Sequence, residues 1–275
     1  MTRLRTAGLF LAPALLLFAP QAGVAKSQAL RVSKTAKPVD TLAMDGSRVA
    51  YASGGKIRIW DMATGVTSVV KGRYATRLGS GYVTASQLAI AGKRVAWIKD
   101  QQFGNTEEGE KLYTAKVGGR AHLIDHVYRH GVDDPSATAG GWIEGLVGSG
   151  KTIAVSTWKS NGAVATNEAL DLVTGSGLSA VAGGSGAIVS EAVDGGHIAV
   201  LRSGLWTTSP SVGIYSRSSS VPVAEVALGA PDPDATGIQI ALSGTELVVL
   251  TTALHEPSGP TTVTLKVYNW GPAGS

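Results

Sequence analysis

Three observations predict an all-β fold built from five repeated four-stranded units. A strand, glycine turn and strand recur five times along the 275 residues; a second strand pattern recurs in step downstream; and 36 glycines accompany only 16% charged residues. With 44% hydrophobic residues, this composition suits short buried strands joined by tight turns and excludes a disordered chain. All-β units commonly run this long as one domain.

The first pattern reads LAMDGSRVAYAS, LAIAGKRVAWIK, LVGSGKTIAVST, EAVDGGHIAVLR and IALSGTELVVLT. Aligned on Val49, Val95, Ile153, Ile198 and Leu247, its copies stand 46, 58, 45 and 49 residues apart. The second reads KIRIWDMATG, EKLYTAKVGG, EALDLVTGSG, VGIYSRSSS and LKVYNWG; its anchors Trp60, Tyr113, Leu170, Tyr215 and Tyr268 stand 53, 57, 45 and 53 apart. Both periods are those of a four-stranded propeller blade. The predicted architecture is therefore a five-bladed β-propeller of four-stranded antiparallel blades, over approximately 39–70, 84–125, 141–181, 186–227 and 237–269.

The chain opens with Arg3 and Arg5 before a 13-residue apolar run, Ala7 to Ala19, and then small residues. This is the pattern of a secretory signal peptide over 1–25, with a cleavage site after Ala25 or Ala29. The run falls short of the roughly 20 residues that span a bilayer. Residues 26–275 are expected to form the single propeller domain, extracytoplasmic and monomeric, with no membrane insertion after cleavage. Removal of Arg3 and Arg5 lowers the net charge from +4 to +2. Without a basic stripe or interleaved aromatics, nucleic acid is excluded as a partner. The chain has no cysteine, which excludes disulfides, thiolate nucleophiles and thiolate-bound zinc.

In the first repeat, Val39 to Met44 is expected as the inner strand, Arg48 to Ser53 as the second, Lys56 to Asp61 as the third and Val66 to Val70 as the outer one. Asp45-Gly46 and Thr64-Gly65 supply the turns, since tight hairpins need the positive φ that glycine adopts freely. The fifth repeat has only three strands before Ser275. Ala29 to Lys34, with no role in the first blade, is expected to pair with the third strand of the fifth and close the ring, removing exposed edges.

The segment DGSRVAYASGGKIRIWDMATG resembles WD-repeat and TolB-type propellers, with Ile59-Trp60-Asp61 and Thr64-Gly65 matching the third strand and its turn. The resemblance spans nearly all of residues 26–275 and implies the fold. Trp-Asp occurs only in the first repeat, and propellers host binding scaffolds and enzymes alike, so it implies no activity.

Several motifs have chemical readings. Gly145 to Thr152 satisfies G-x-x-x-x-G-K-T, but a phosphate loop needs a helix after it. Here Ile-Ala-Val-Ser-Thr-Trp follows, a strand pattern, and the segment reads as a hairpin in the third blade. His122, His126 and His130, with Asp125, Asp133 and Asp134 nearby, would line one face of a helix as a metal site does; on a strand, residues four apart are about 13 Å apart, too far to share an ion. Asp232, Asp234 and Thr236 resemble the start of a calcium loop, but Ser243 stands where its closing glutamate belongs. Glu107, Glu108 and Glu110 lie in QQFGNTEEGEK, read as a solvated loop, and no serine has a G-x-S-x-G context. No cofactor, metal site or catalytic residue is assigned.

Function is expected where connections are long. Turns between first and second and between third and fourth strands are tight; the other connections, Lys99 to Gly109, Lys159 to Thr166, Arg202 to Pro210 and Leu254 to Pro260 within blades, and Lys71 to Gly81, Tyr128 to Gly140 and Gly229 to Thr236 between them, are long. A meander sends both long types to one face, and elaborate loops on a rigid scaffold are where binding occurs. His130, Asp133, Asp134, Asp232 and Asp234 fall on that face and are the candidate ligand-binding residues. The reading favoured is a non-catalytic binding or scaffold module for a protein, glycan or cell-envelope ligand; the alternative is a propeller hydrolase or lyase with acidic and histidine residues at the channel mouth.

Overall fold

Apolar residues, alternating or in continuous runs, on either side of each glycine turn produce strands throughout the described residues. The computed structural model describes residues 35–72, 74, 83–103, 107–130, 139–161, 167–182, 187–203, 210–230, 235–254 and 261–271. They belong to one unit, Ser33–Ser275. The predicted leader 1–25 and closing strand 29–34 lie outside the described residues. No helix long and apolar enough to cross a membrane occurs among those described.

The strands follow one another as antiparallel meanders. The first blade is β1 (Val39–Asp45), β2 (Arg48–Ser53), β3 (Lys56–Asp61) and β4 (Thr67–Val69). The second is β5 (Val83–Ala91), β6 (Arg94–Phe103), β7 (Glu107–Lys116) and β8 (His122–His130), and the third is β9 (Ala139–Ser149), β10 (Thr152–Asn161), β11 (Asn167–Val173) and β12 (Leu178–Ala182). The fourth is β13 (Ala187–Asp194), β14 (His197–Ser203), β15 (Ser211–Ser216) and β16 (Pro222–Ala227); the fifth has three described strands, β17 (Ala235–Ser243), β18 (Glu246–Leu254) and β19 (Thr261–Asn269).

Two details depart from the sequence reading. The second and third blades are not separate sheets: the pair Arg129↔Gly140 joins β8 to β9 in an eight-stranded sheet. Of the stretch QQFGNTEEGEK, residues 101–103 and 107–111 are strand rather than loop. β6 and β7 run on as a hairpin arm, paired through Asp100↔Glu110 and Gln102↔Glu108 to Phe103↔Glu107, so backbone pairing continues where the apolar alternation stops.

Four cores lie between successive blades. Ala50, Ala52, Ile57 and Ile59 of the first blade pack on Ile90, Val95 and Trp97 of the second. On the opposite side of β6, Ala96 and Ile98 face Ile143, Ile153 and Val155 of the third blade. The same sharing recurs between the third and fourth blades, around Ala154, Leu170, Ile188 and Ile198, and between the fourth and fifth, around Leu201, Ile214, Ile240 and Leu247. Strands buried on both sides read as continuous apolar runs, which explains VAWI, IAVS and IAVL.

The blades at the two ends have one covered face each. Leu42 and Met44 on β1 are 65% and 63% exposed, and Val263, Leu265 and Val267 on β19 are 58%, 64% and 64% exposed.

Candidate functional site

At one end of the molecule the five inner hairpins turn through glycines in one left-handed conformation: Gly46, Gly92, Gly150, Gly195 and Gly244 have φ of 57°, 56°, 63°, 58° and 55°. Aspartates lace these turns together. The Asp45 carboxylate accepts the Gly92 amide at 2.6 Å and the Gly150 amide at 2.8 Å, and that of Asp194 accepts the Gly244 amide at 2.6 Å. The Thr152 hydroxyl donates to the Gly195 carbonyl at 2.7 Å, and Arg48 donates to the Gly92 carbonyl at 2.9 Å. This turn end is thus tied from blade to blade. The segment Gly145 to Thr152 is part of it: β9, a Gly150-Lys151 turn and β10, as the strand pattern requires.

Farther along, every inner strand carries a bulge. The register shifts at Asp40, Ser86, Glu144, Val189 and Thr236, on β1, β5, β9, β13 and β17. A bulge takes backbone groups out of the ladder, and they need other partners. The Ile143 amide, next to the bulge in β9, donates to the Glu110 carboxylate at 2.6 Å, and the Ile188 amide, next to that in β13, donates to the Glu168 carboxylate. Each glutamate comes from the third strand of the preceding blade and is buried. Tyr74 donates to Asp40 at the first bulge; burial, then this carboxylate, raises the phenol above its ordinary range.

These bulges gather carboxyls on the third and fourth blades. Glu191 on β13 reaches the third blade, where Ser156 donates to it at 3.1 Å, and its carboxylate occupies the place a side chain at Gly145 would take. Burial raises Glu191 above the usual carboxylate range, and the Ser156 bond opposes that rise. Glu144 is pushed up to about 7, by desolvation first and then by repulsion from Glu168, Glu191 and Glu110. A carboxyl poised near neutrality exchanges a proton in the physiological range, and in its ionised form it attracts a cationic group.

His130 is the last residue of β8, and Asp133, Asp134, Asp232 and Asp234 lie outside the described residues. His122, Asp125 and His126 sit on β8, the outer strand of its blade, as the repeat requires. Among the described residues no group of three histidines or carboxylates forms a metal site. Sequence reading does not single out Glu144 and Glu191, although Glu144 is the one charge in the inner strand AGGWIEGLVGS and Glu191 interrupts AIVSEAVD, whose other charge, Asp194, belongs to the turn. That mismatch was the available signal.

No family model matches the chain, and no curated protein matches it in sequence. Solved structures do. Dipeptidyl peptidase 4 from Porphyromonas gingivalis aligns over 87% of this chain with a TM-score of 0.51 and 10% identity, and the chain spans 40% of that protein. TolB from Acinetobacter baumannii aligns over 79% with a TM-score of 0.38 and 12% identity, the chain spanning 52% of it. The β-propeller domain of the Trilobed protease from Pyrococcus furiosus aligns over 85%, with a TM-score of 0.36, 11% identity and 84% of that domain covered. At these identities the likeness is one of fold, and the chain is a divergent β-propeller.

Proposed function

We propose that residues 26–275 form an extracytoplasmic, monomeric propeller that binds a protein, glycan or cell-envelope ligand through its loop end. The observation that carries this reading is the lacing of the turn end by Asp45 and Asp194. It ties one end through carboxylate-to-amide bonds, while β8, β10, β14 and β18 finish toward the other, the end to which this reading assigns the longer connections. Variable connections on a rigid frame are where recognition is built. Asp133, Asp134, Asp232 and Asp234, with His130, are the proposed contacts. The experiment is binding of the secreted chain to arrayed extracellular glycans and to cell-envelope fractions, repeated with Asp133→Ala/Asp134→Ala and Asp232→Ala/Asp234→Ala. At least one pair is expected to lose binding while strand content and melting stay unchanged. Equal binding by both pairs and the parent would overturn the reading.

A catalytic reading has one observation in its favour, the Glu144 carboxyl near neutrality beside Glu191. It predicts turnover of chromogenic glycosides or esters with an inflection near pH 7 that Glu144→Gln abolishes.

Ring closure belongs to the same proposal. Residues 29–34 are proposed to pair with the third strand of the fifth blade, β19, which among the described residues ends its sheet, while β1 and β19 carry exposed apolar residues. Edges and apolar faces of this kind invite aggregation unless covered. Deletion of residues 26–34 is expected to cost solubility or lower the melting temperature; an unchanged melting profile would show that these residues do not close the ring.

A further inference from the structure

The turn end has a chemistry of its own. A cavity of about 230 Å³ opens there, and three cations from three blades line it: Arg94 at the start of β6, Lys151 in the turn between β9 and β10, and Arg217 just after β15. Its wall includes Thr152 and Thr174.

The acids that lace this end are engaged with backbone amides. Asp45 holds the Gly92 and Gly150 amides and Asp194 that of Gly244, while Asp61 pairs with Arg48 at 3.5 Å. Among the described residues Arg94 reaches neutral acceptors only, the Thr114 hydroxyl and the Thr174 carbonyl, each at 3.5 Å. Gly175 makes room for it, since a Cβ there would lie 3.2 Å from the guanidinium. Three like charges around one cavity raise each other's energy, and an anion between them relieves it. The whole chain carries only +4, so this concentration is local.

We propose that the cavity is an anion site for the phosphoryl or sulfuryl group of a small ligand, gripped by Arg94, Lys151 and Arg217. A guanidinium fork matches two oxygens of a tetrahedral anion, and a lysine adds a point charge. The neutral donors nearby are occupied: the Thr152 hydroxyl serves the Gly195 carbonyl, and the Thr174 hydroxyl serves the Gly177 carbonyl while accepting the Ser176 and Gly177 amides. Recognition therefore rests on charge, so phosphate and sulfate bind alike and added salt weakens both. Lys151 and Thr152 end the octapeptide that satisfies the phosphate-loop pattern, but they stand on a hairpin with no helix after it, and no nucleotide cradle results.

The test is thermal melting of the secreted chain in sodium phosphate or sodium sulfate against sodium chloride of equal ionic strength. A saturable rise in melting temperature is expected with both anions, because a ligand that binds only the folded state stabilises it. Lys151→Ala should weaken the apparent affinity about tenfold. Lys151→Ala/Arg217→Ala should abolish the rise while melting like the parent in chloride, since both side chains are exposed. Lys151→Arg/Arg217→Lys should retain the rise, which guards against a folding defect in the alanine variant. Glucose 6-phosphate run beside inorganic phosphate separates the sources: tighter binding of the ester identifies a phosphorylated or sulfated saccharide, and equal binding identifies the free anion. No rise in the parent, or a rise that persists in the double alanine variant, would overturn the proposal.

Discussion

Gly46 and Gly92 hold the same place in the first two hairpins, with φ of 57° and 56°, yet they answer different demands. A Cβ at Gly46 would meet nothing within 4 Å, whereas one at Gly92 would lie 2.9 Å from the Gly150 carbonyl, a backbone atom that cannot step aside. Gly46→Ala should therefore cost about 1 kcal/mol, the conformational term alone. Gly92→Ala should cost about 3 kcal/mol, because a steric term is added. Urea unfolding of the two variants checks this, and equal losses would refute the close approach. Repetition in the sequence revealed the turn glycines, because the left-handed conformation is a local requirement. The approach of Gly150 is made by another blade, and no local pattern announces it. The same holds for Gly145, whose missing side chain leaves room for Glu191, and Glu191 is brought there only by the next blade.

Inner hairpins were legible as elements because apolar residues, alternating or continuous, mark both of their strands. Hairpin arms beyond the core were not. In β6 and β7 the outer pairs Lys99↔Lys111, Gln101↔Gly109 and Gln102↔Glu108 carry no apolar period, though the ladder continues through them. Bulges escape for a related reason: one extra residue shifts the alternation by one place, and in strands rich in alanine and glycine the shift leaves little trace. The elements are also joined by bonds that no single repeat specifies. Asp45 bridges the turns of the second and third blades, while Asp194 reaches only that of the fifth. A charge-assisted bond of this kind is worth about 1 kcal/mol when partly solvated. Asp45→Ala should thus lose about twice as much stability as Asp194→Ala, about 2 against about 1 kcal/mol by denaturant unfolding. Equal losses would mean that the two Asp45 bonds do not act together.

For the whole molecule, stability is the sum of interfaces between successive blades, as in other repeat architectures. The interface of the third and fourth blades has the most distinctive charge. Glu191 is half-buried in it, and Glu144 beside it, although its side chain reaches solvent, is raised to about 7 by desolvation and by the neighbouring carboxylates. The folded chain therefore holds protons that the unfolded chain releases at ordinary carboxylate pH. Stability supplied by Glu144 is fully present below about pH 4.5 and is lost as the pH rises through about 7. Because ordinary carboxylates and histidines produce other slopes, the decisive comparison is between the parent and Glu144→Gln. Between pH 5 and 8 the parent's melting temperature should fall relative to that of the variant, whose amide has no proton to release. Parallel melting curves across that range would show that Glu144 does not couple protonation to the packing of these blades. A diverging pair would make the interface of the third and fourth blades the propeller's pH-dependent joint, loosening where carboxylates crowd rather than at the exposed faces of its end blades.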